Sequence, residues 1–342
     1  MKIMKRLIPL TLALTLLAGC AQGTGSSSAS NAAPNLEDVY IDQVVMEEFV
    51  IENEAVALAG APAALNDLIL PVASGTKVKQ NSRATIDYSN ITDGYVMVNF
   101  TGETKTRLKV VVRGPSYAAS QLQYQYDITP GKWYTFPLSD GNGEYTVLVM
   151  ENTTGSKYAQ VVSVKFNVTL TDEFAPFIRP NQYVDYASAP KTVAKAAELA
   201  GKETDPLKLV EKIYNYVVKN FTYDKQLAAT VQSGYLPVLD NVLAAKKGIC
   251  FDYAGLMTGM LRSVGVPCKL VTGYVPVGSG KTGYHAWISV YSEANGWVEG
   301  AIYFDGSTWQ RMDPTFASTG NNSSSILEYI GDGTNYSVKY VY

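Results

Sequence analysis

The sequence predicts an α+β protein in which an all-β, sandwich-like domain precedes a domain whose cysteine-bearing helix packs on an antiparallel sheet. Two observations predict this order. Residues 83–170 consist of short apolar runs separated by turn signals, whereas residues 193–264 carry apolar side chains at helical spacing before strands return. The chain has 342 residues, a length that suits two domains once the N-terminal segment is set aside.

Residues 1–20 predict a bacterial lipoprotein signal peptide. A basic start leads into an apolar run, residues 7–17, which is too short for a spanning helix of roughly 20 apolar residues. The run ends in Leu-Ala-Gly-Cys, which resembles the bacterial lipobox, whose cysteine (here Cys20) is lipidated and becomes the mature N-terminus. We therefore expect an extracytoplasmic protein, at the cell surface or in the periplasm, anchored to the membrane through lipid on Cys20. An ordinary cleaved signal peptide is the alternative.

Residues 21–36 are small and polar, which predicts a flexible tether between the lipid and the fold. The formal net charge of −3 offers no basic surface, so nucleic acid is not an expected partner. Only Cys250 and Cys268 remain besides Cys20, and with one histidine they make neither a disulfide framework nor a zinc site. A single disulfide between Cys250 and Cys268 stays open as an alternative.

Residues 37–172 form the predicted β domain. Four of its apolar runs alternate in the manner of strands and are separated by Gly-containing turns; these runs are residues 95–100, 108–112, 145–150 and 161–170. The region contains no histidine or cysteine, so we expect a module that binds carbohydrate or peptide, or one with a purely structural role.

Residues 173–342 form the predicted second domain, which begins in a proline-containing segment without regular period. Helices are expected within residues 193–199 and from Asp205-Pro206 onward, because proline suits a first helical turn. Residues 230–246 are interpreted mostly as loop. A helix then begins at Cys250 and ends before Gly265, which is a suitable C-terminal cap.

Cys250 is the predicted nucleophile. The unpaired N–H groups and the positive end of the helix dipole favour a thiolate there, and the same groups can stabilise an oxyanion. The preceding Gly248 permits a close backbone approach. A buried structural thiol is the alternative for Cys250. Asp252, in the first turn, is interpreted as ordinary compensation of the helix dipole.

His285 is the single histidine, so any imidazole chemistry near neutral pH must use it. It lies in a predicted strand, residues 284–291, in which its side chain alternates with that of Ala286. A further predicted strand ends at Asp313, which is followed by a proline. A helix N-terminus facing such a sheet can bring a thiol to an imidazole on one strand and a carboxylate on the next.

These segments resemble the transglutaminase-like superfamily. The resemblance rests on GICFDYAGLMTGMLRSVGVPCKLVTGY, YHAWISVY, GWV and WQRMDPT in that order, preceded by YNYVVKNFTYD, and it covers about residues 205–316. It implies a papain-like core in which Cys250 is the nucleophile, His285 the general base and acid, and Asp313 the residue that orients the imidazole. Tyr223 and Trp287 are possible substrate-cleft residues, although a structural hydroxyl and aromatic core packing are the alternatives.

The implied activity is thiol-dependent acyl transfer or amide hydrolysis on a protein or peptide substrate, cell-wall peptide included, through a thioester. A lysine amine would give cross-linking, whereas water would give deamidation or proteolysis. No cofactor is expected, and no calcium loop of the EF-hand type is present in the sequence, so no metal is expected either. The alternative is a catalytically inactive surface protein that acts in binding or cell-wall organisation.

Overall fold

The computed structural model of the chain describes residues 68–276, 282–292, 296–299, 302–304, 309–311 and 337–342. Across these residues an all-β half precedes an α+β half in which a helix packs on an antiparallel sheet, and the predicted fold class is confirmed. The predicted signal peptide, the tether and Asp313 lie outside the described residues.

The β half contains two four-stranded antiparallel sheets, with strand orders β1-β2-β3-β6 and β5-β4-β7-β8. Their inward-facing side chains, which are mostly β-branched or aromatic, form a common core. The strands are β1 (Val78–Gln80), β2 (Ala84–Asp87), β3 (Tyr95–Phe100), β4 (Leu108–Arg113), β5 (Tyr124–Ile128), β6 (Trp133–Pro137), β7 (Gly143–Thr154) and β8 (Lys157–Val168), with a short helix α1 (Tyr117–Ser120) before β5.

An ion pair connects the two sheets. Both terminal nitrogens of Arg83, just before β2, lie 2.7 Å from the carboxylate oxygens of Glu151 on β7. The Arg83 guanidinium lowers the pKa of Glu151 from 4.5 to about 2. Two parallel charge-assisted hydrogen bonds of this kind fix geometry as well as contributing energy.

Helices dominate the first part of the second half. They are α2 (Pro190–Ala200), α3 (Pro206–Asn220), α4 (Lys225–Thr230), α5 (Leu239–Ala245) and α6 (Cys250–Ser263). Asp205 caps α3 by accepting a hydrogen bond from the Leu207 N–H at 2.9 Å, with Pro206 in the first turn as predicted. No helix of the described residues is both long enough and apolar enough to cross a membrane.

The interpretation of residues 230–246 as mostly loop is wrong for α5. That helix has seven residues and buries only Leu239 and Val242, so it is too short for helical periodicity to be visible in the sequence. Its role is packing, because Leu239 lies against the glycine positions Gly255 and Gly259 of α6.

The sheet of the second half has the order β13-β12-β11-β16, and all of its pairs are antiparallel. Two two-stranded pairs accompany it, β9 with β10 and β14 with β15. The strands are β9 (Thr222–Tyr223), β10 (Lys247–Gly248), β11 (Cys268–Pro276), β12 (Thr282–Ser292), β13 (Gly296–Glu299), β14 (Ile302–Phe304), β15 (Trp309–Arg311) and β16 (Ser337–Val341).

Arg262 secures the C-terminal end of α6 to this sheet. It is buried, and its guanidinium donates hydrogen bonds to the backbone carbonyls of Cys268 at 2.9 Å, Arg179 at 2.8 Å and Tyr342 at 2.6 Å. Burial lowers the pKa of Arg262 to about 10. The three carbonyls satisfy a cation that would otherwise be costly to bury.

Candidate active site

Cys250 is the first residue of α6, so the predicted start of this helix is confirmed. Its thiol is half-buried, that of Cys268 is buried, and both are free, so the alternative disulfide is not formed. The carbonyl of the preceding Ile249 accepts the first helical hydrogen bond, from the Tyr253 N–H at 3.1 Å. The N–H groups of residues 250–252 consequently have no partner within the helix, and they point toward any negative charge that forms beside Cys250.

The approach to Cys250 is fixed by the parallel pair β9–β10. Tyr223 pairs with Gly248, and the Asp224 N–H donates to the Gly248 carbonyl at 2.8 Å. The Lys247 ammonium lies 2.9 Å from the Asp224 carboxylate. Tyr223, which is half-buried, thereby lies alongside the backbone two residues before Cys250.

Asp252 ties the first turn of α6 together. Its side chain is only 1% exposed; Oδ2 accepts a hydrogen bond from the Ile249 N–H at 2.8 Å, and Oδ1 accepts one from the Tyr235 hydroxyl at 2.6 Å. Burial raises the pKa of Asp252, against the lowering effect of these two hydrogen bonds. Dipole compensation is thus an incomplete description of Asp252, because the carboxylate also holds the backbone before Cys250 and a tyrosine from a distant loop.

Gly248 is required by the space that Asp252 occupies. A Cβ atom at residue 248 would lie 2.5 Å from Asp252 Cβ and 2.7 Å from Asp252 Oδ2. The close backbone approach expected at this glycine therefore exists, and the group that approaches is the Asp252 side chain.

His285 lies on β12 opposite Gly273 of β11 and is 7% exposed. Its ring centroid is 6.2 Å from that of Trp287, which shares its face of the sheet and is fully buried. Since β13 pairs only with residues 289–292, the His285 end of β12 forms an edge of the sheet among the described strands.

The register shows which face of the sheet carries the imidazole. Cys268 pairs with Val290, and Cys268 Sγ lies 3.6 Å from Thr258 Oγ1 of α6. Val290 therefore faces α6, and by strand alternation His285 projects from the opposite face. A contact between Cys250 and His285 would be made around the edge of β12, and this pairing stays a prediction.

The remaining predicted site residues divide into two groups. Trp287 is fully buried, as aromatic core packing expects, and its place in a substrate cleft stays a prediction. Asp313 and Cys20 lie outside the described residues, so their roles stay predictions. Sequence reasoning missed Tyr235; its partner Asp252 is 17 positions away, and no local pattern signals such a contact.

Comparison with known proteins gives a family match within the second half. Residues 193–314 match the family profile of the Transglutaminase-like superfamily. A protein-glutamine gamma-glutamyltransferase of Pseudomonas aeruginosa is 29% identical over 130 residues, which cover 37% of this chain and 18% of that protein. The uncharacterized protein YebA of Bacillus subtilis is 29% identical over 111 residues, covering 31% of this chain and 15% of YebA. The chain thus spans less than a fifth of the length of these relatives.

Solved structures resemble the chain more distantly. A candidate cysteine protease from Cytophaga hutchinsonii superposes with a TM-score of 0.36 and 14% identity, covering 72% of this chain and 76% of that one. Red sea bream transglutaminase superposes with a TM-score of 0.29 and 13% identity, covering 71% of this chain and 54% of that one.

Proposed function

We propose that this chain, whose residues 193–314 form a transglutaminase-like domain, carries out thiol-dependent acyl transfer or amide hydrolysis on protein or peptide substrates. The observation that carries the proposal is the position of Cys250 at the first turn of α6, half-buried and beside N–H groups without helical partners. The matched segment also includes His285 and Asp313, which supports their assignment as the partners of Cys250.

In the proposed reaction the Cys250 thiolate attacks a carboxamide or peptide carbonyl. A carbon–sulfur bond forms, and the carbonyl oxygen becomes an oxyanion that accepts hydrogen bonds from N–H groups at the start of α6. Collapse of this intermediate breaks the carbon–nitrogen bond, while imidazolium at His285 gives its proton to the departing amine or ammonia. Asp313 would hold the imidazole tautomer and stabilise its charged form.

A second nucleophile then resolves the thioester. It gives a proton to His285 and attacks the acyl carbon, and the Cys250 thiolate departs. A lysine amine yields a cross-link, whereas water yields a carboxylate. Incubating a glutamine-containing peptide with the protein, with and without an added primary amine, separates the two outcomes: incorporation of the amine identifies a transferase, and deamidation or cleavage alone identifies a hydrolase.

The first test is the alkylation rate of Cys250 by iodoacetamide, read by peptide mass spectrometry in the full chain carrying Cys268→Ser. We expect rapid alkylation at neutral pH and a loss of at least about tenfold in His285→Ala, because the imidazolium no longer stabilises the thiolate. Ser289→Ala is the matched control: Ser289 is buried on the same face of β12, and its truncation should leave the rate unchanged.

A rate that is slow and equal in all three proteins would contradict the proposed pair and favour an inactive surface protein. If the pair exists, Asp313→Asn and His285→Ala should each reduce acyl transfer to the added amine by roughly a hundredfold or more, the range of general acid–base catalysis.

We also propose that the protein acts outside the cytoplasm, anchored through lipid on Cys20. The support is the lipobox-like end of the apolar N-terminal run. Cys20→Ala should move the protein from the membrane fraction to the soluble fraction and abolish incorporation of a labelled fatty acid. Retention of both properties in the variant would contradict the anchor.

A further inference from the structure

We infer that Asp252 is a positioning residue that, together with Tyr235, holds the Gly248–Ile249 peptide and thereby orients the next peptide, so that the backbone N–H of Cys250 can donate to the oxyanion. This inference rests on the proposed function. It assigns a role to a buried carboxylate and a distant tyrosine that thiol–imidazole–carboxylate chemistry does not itself require.

The helix that begins at Cys250 is capped differently from α3 and α4. In α3 and α4 the N-cap aspartates, Asp205 and Asp224, accept hydrogen bonds from N–H groups of the first turn. In α6 the N-cap is Ile249, which has no side-chain acceptor, and the side chain of Asp252 reaches back to the Ile249 N–H instead. The first-turn N–H groups of α6 are therefore not occupied by an N-cap side chain.

Capping of α6 by Asp252 rather than by the N-cap residue has a chemical consequence. A conventional cap accepts from the N–H groups of the second and third helical residues, here residues 251 and 252, and its oxygen would lie beside the Cys250 N–H at which the oxyanion is proposed to form. Asp252 instead accepts from the Ile249 N–H, which fixes the Gly248–Ile249 peptide plane, while the Ile249 carbonyl is held by the Tyr253 N–H. The Cys250 N–H, on the peptide between these two contacts, stays available. Helix capping and anion binding thus use separate N–H groups.

Two hydrogen bonds and the space at Gly248 keep the Asp252 carboxylate in this position. The Tyr235 hydroxyl holds Oδ1, the Ile249 N–H holds Oδ2, and the absence of a side chain at Gly248 leaves room for the Asp252 Cβ. Tyr235 also lies edge-on to Phe251, with ring centroids 6.5 Å apart. The loop that carries Tyr235 is thereby attached to the first turn of α6 at two adjacent residues.

Two reagents that modify the Cys250 thiol distinguish a positioning role of Asp252 from a general effect of its substitution on the stability of the fold. Iodoacetamide alkylation forms a carbon–sulfur bond and expels iodide without an oxyanion. Acylation by p-nitrophenyl acetate adds the thiolate to a carbonyl, passes through an oxyanion and expels p-nitrophenolate. The ratio of acylation rate to alkylation rate at Cys250, in the full chain with Cys268→Ser, therefore reports oxyanion stabilisation and cancels changes in thiol exposure or ionisation.

We expect Asp252→Ala to lower this ratio about tenfold or more, because removal of one oxyanion donor typically costs about a hundredfold to a thousandfold and misorientation costs part of that. Asp252→Asn should restore most of the ratio, since its amide oxygen can still accept from the Ile249 N–H. Tyr235→Phe should lower the ratio by about threefold, as one of two anchors is lost. Asp205→Ala, which removes a cap from α3, is the matched control and should leave the ratio unchanged.

The outcomes separate the two proposals. A wild-type thiol that is alkylated but never acylated would overturn the proposed function and this inference with it. Acylation of the wild type with an unchanged ratio in Asp252→Ala would overturn the positioning role alone. If Asp252→Ala does not fold, a wild-type ratio in Tyr235→Phe overturns the role.

Discussion

Tyr183 stacks on Tyr342 with ring centroids 4.0 Å apart and ring planes 10° from parallel. Tyr342 also meets Tyr126 of β5 edge-on at 6.1 Å, and Tyr183 reaches Phe251, the residue after Cys250, at 5.8 Å. Aromatic contacts therefore run from the β half to the first turn of α6. One aromatic cluster therefore packs the two halves together and also contacts the helical turn that carries Cys250.

Truncating this cluster should destabilise the protein. Tyr342→Ala removes a side chain that is 5% exposed, and we expect the free energy of unfolding to fall by about 3 kcal/mol, as for other large buried aromatics. Urea denaturation measures the change. Trp133→Ala is the control, because Trp133 is 41% exposed and its loss should cost less than about 1 kcal/mol. Equal losses in the two variants would show that the cluster contributes little.

The ion pair between Arg83 and Glu151 should make stability sensitive to acid. Because the pKa of Glu151 is lowered from 4.5 to about 2, its contribution is fully present above pH 4.5 and is lost as the pH falls toward 2. Arg83→Met should therefore flatten the curve of unfolding free energy against pH in this window. Lys165→Met breaks the exposed pair with Glu144 and should leave the curve unchanged, since such pairs contribute little.

Cys268 should be unreactive in the folded protein. It is fully buried, and burial raises the pKa of its thiol to about 11, so little thiolate exists at neutral pH. Peptide mass spectrometry after iodoacetamide treatment should find Cys268 modified only when urea is added. Modification of Cys268 at the same rate in buffer and in urea would mean that the β11 end of the core opens freely.

Gly248→Ala should disturb the start of α6. The new Cβ would lie 2.5 Å from Asp252 Cβ, so the carboxylate must move, and we expect a loss of about 1–3 kcal/mol in the free energy of unfolding, as for other overpacked sites. Gly255→Ala serves as the comparison within the same helix. Its Cβ would meet the Pro237 ring at 3.3 Å, and the helix-propensity gain of about 1 kcal/mol offsets part of that contact. A smaller loss in Gly248→Ala than in Gly255→Ala would contradict the role assigned to Gly248.

The sequence predicts those elements whose signals lie within a few residues of the element itself. The helix at Cys250 carries a long apolar stripe and ends before Gly265, whose φ of +84° suits glycine, so both ends are visible without a structure. The cap at Asp205 is equally local, because the side chain bonds residues two and three positions on. Strands β3 and β4 follow from alternation and flanking turns.

The contacts that are absent from the prediction depend on the tertiary fold. The Tyr235–Asp252 hydrogen bond joins a loop to a helix, and nothing in either segment specifies its partner. The face of β12 that carries His285 depends on the register with β11, which a sequence pattern of buried residues on both faces does not determine. Buried Ser289 and Ala286, on opposite faces of the same strand, illustrate the difficulty.

The pair β9–β10 brings the chain back to its starting point after residues 224–246. An excursion closed at its base can be lengthened cheaply, since each doubling of a loop costs only about 0.6 kcal/mol in closure entropy. Residues 225–234, the outer part of this excursion, can therefore be substituted or lengthened while the residues before Cys250 keep their places. Tyr235 and α5 are the attachments of this excursion to α6, through Asp252 and through Leu239, so changes at either would reach the helix that carries the nucleophile.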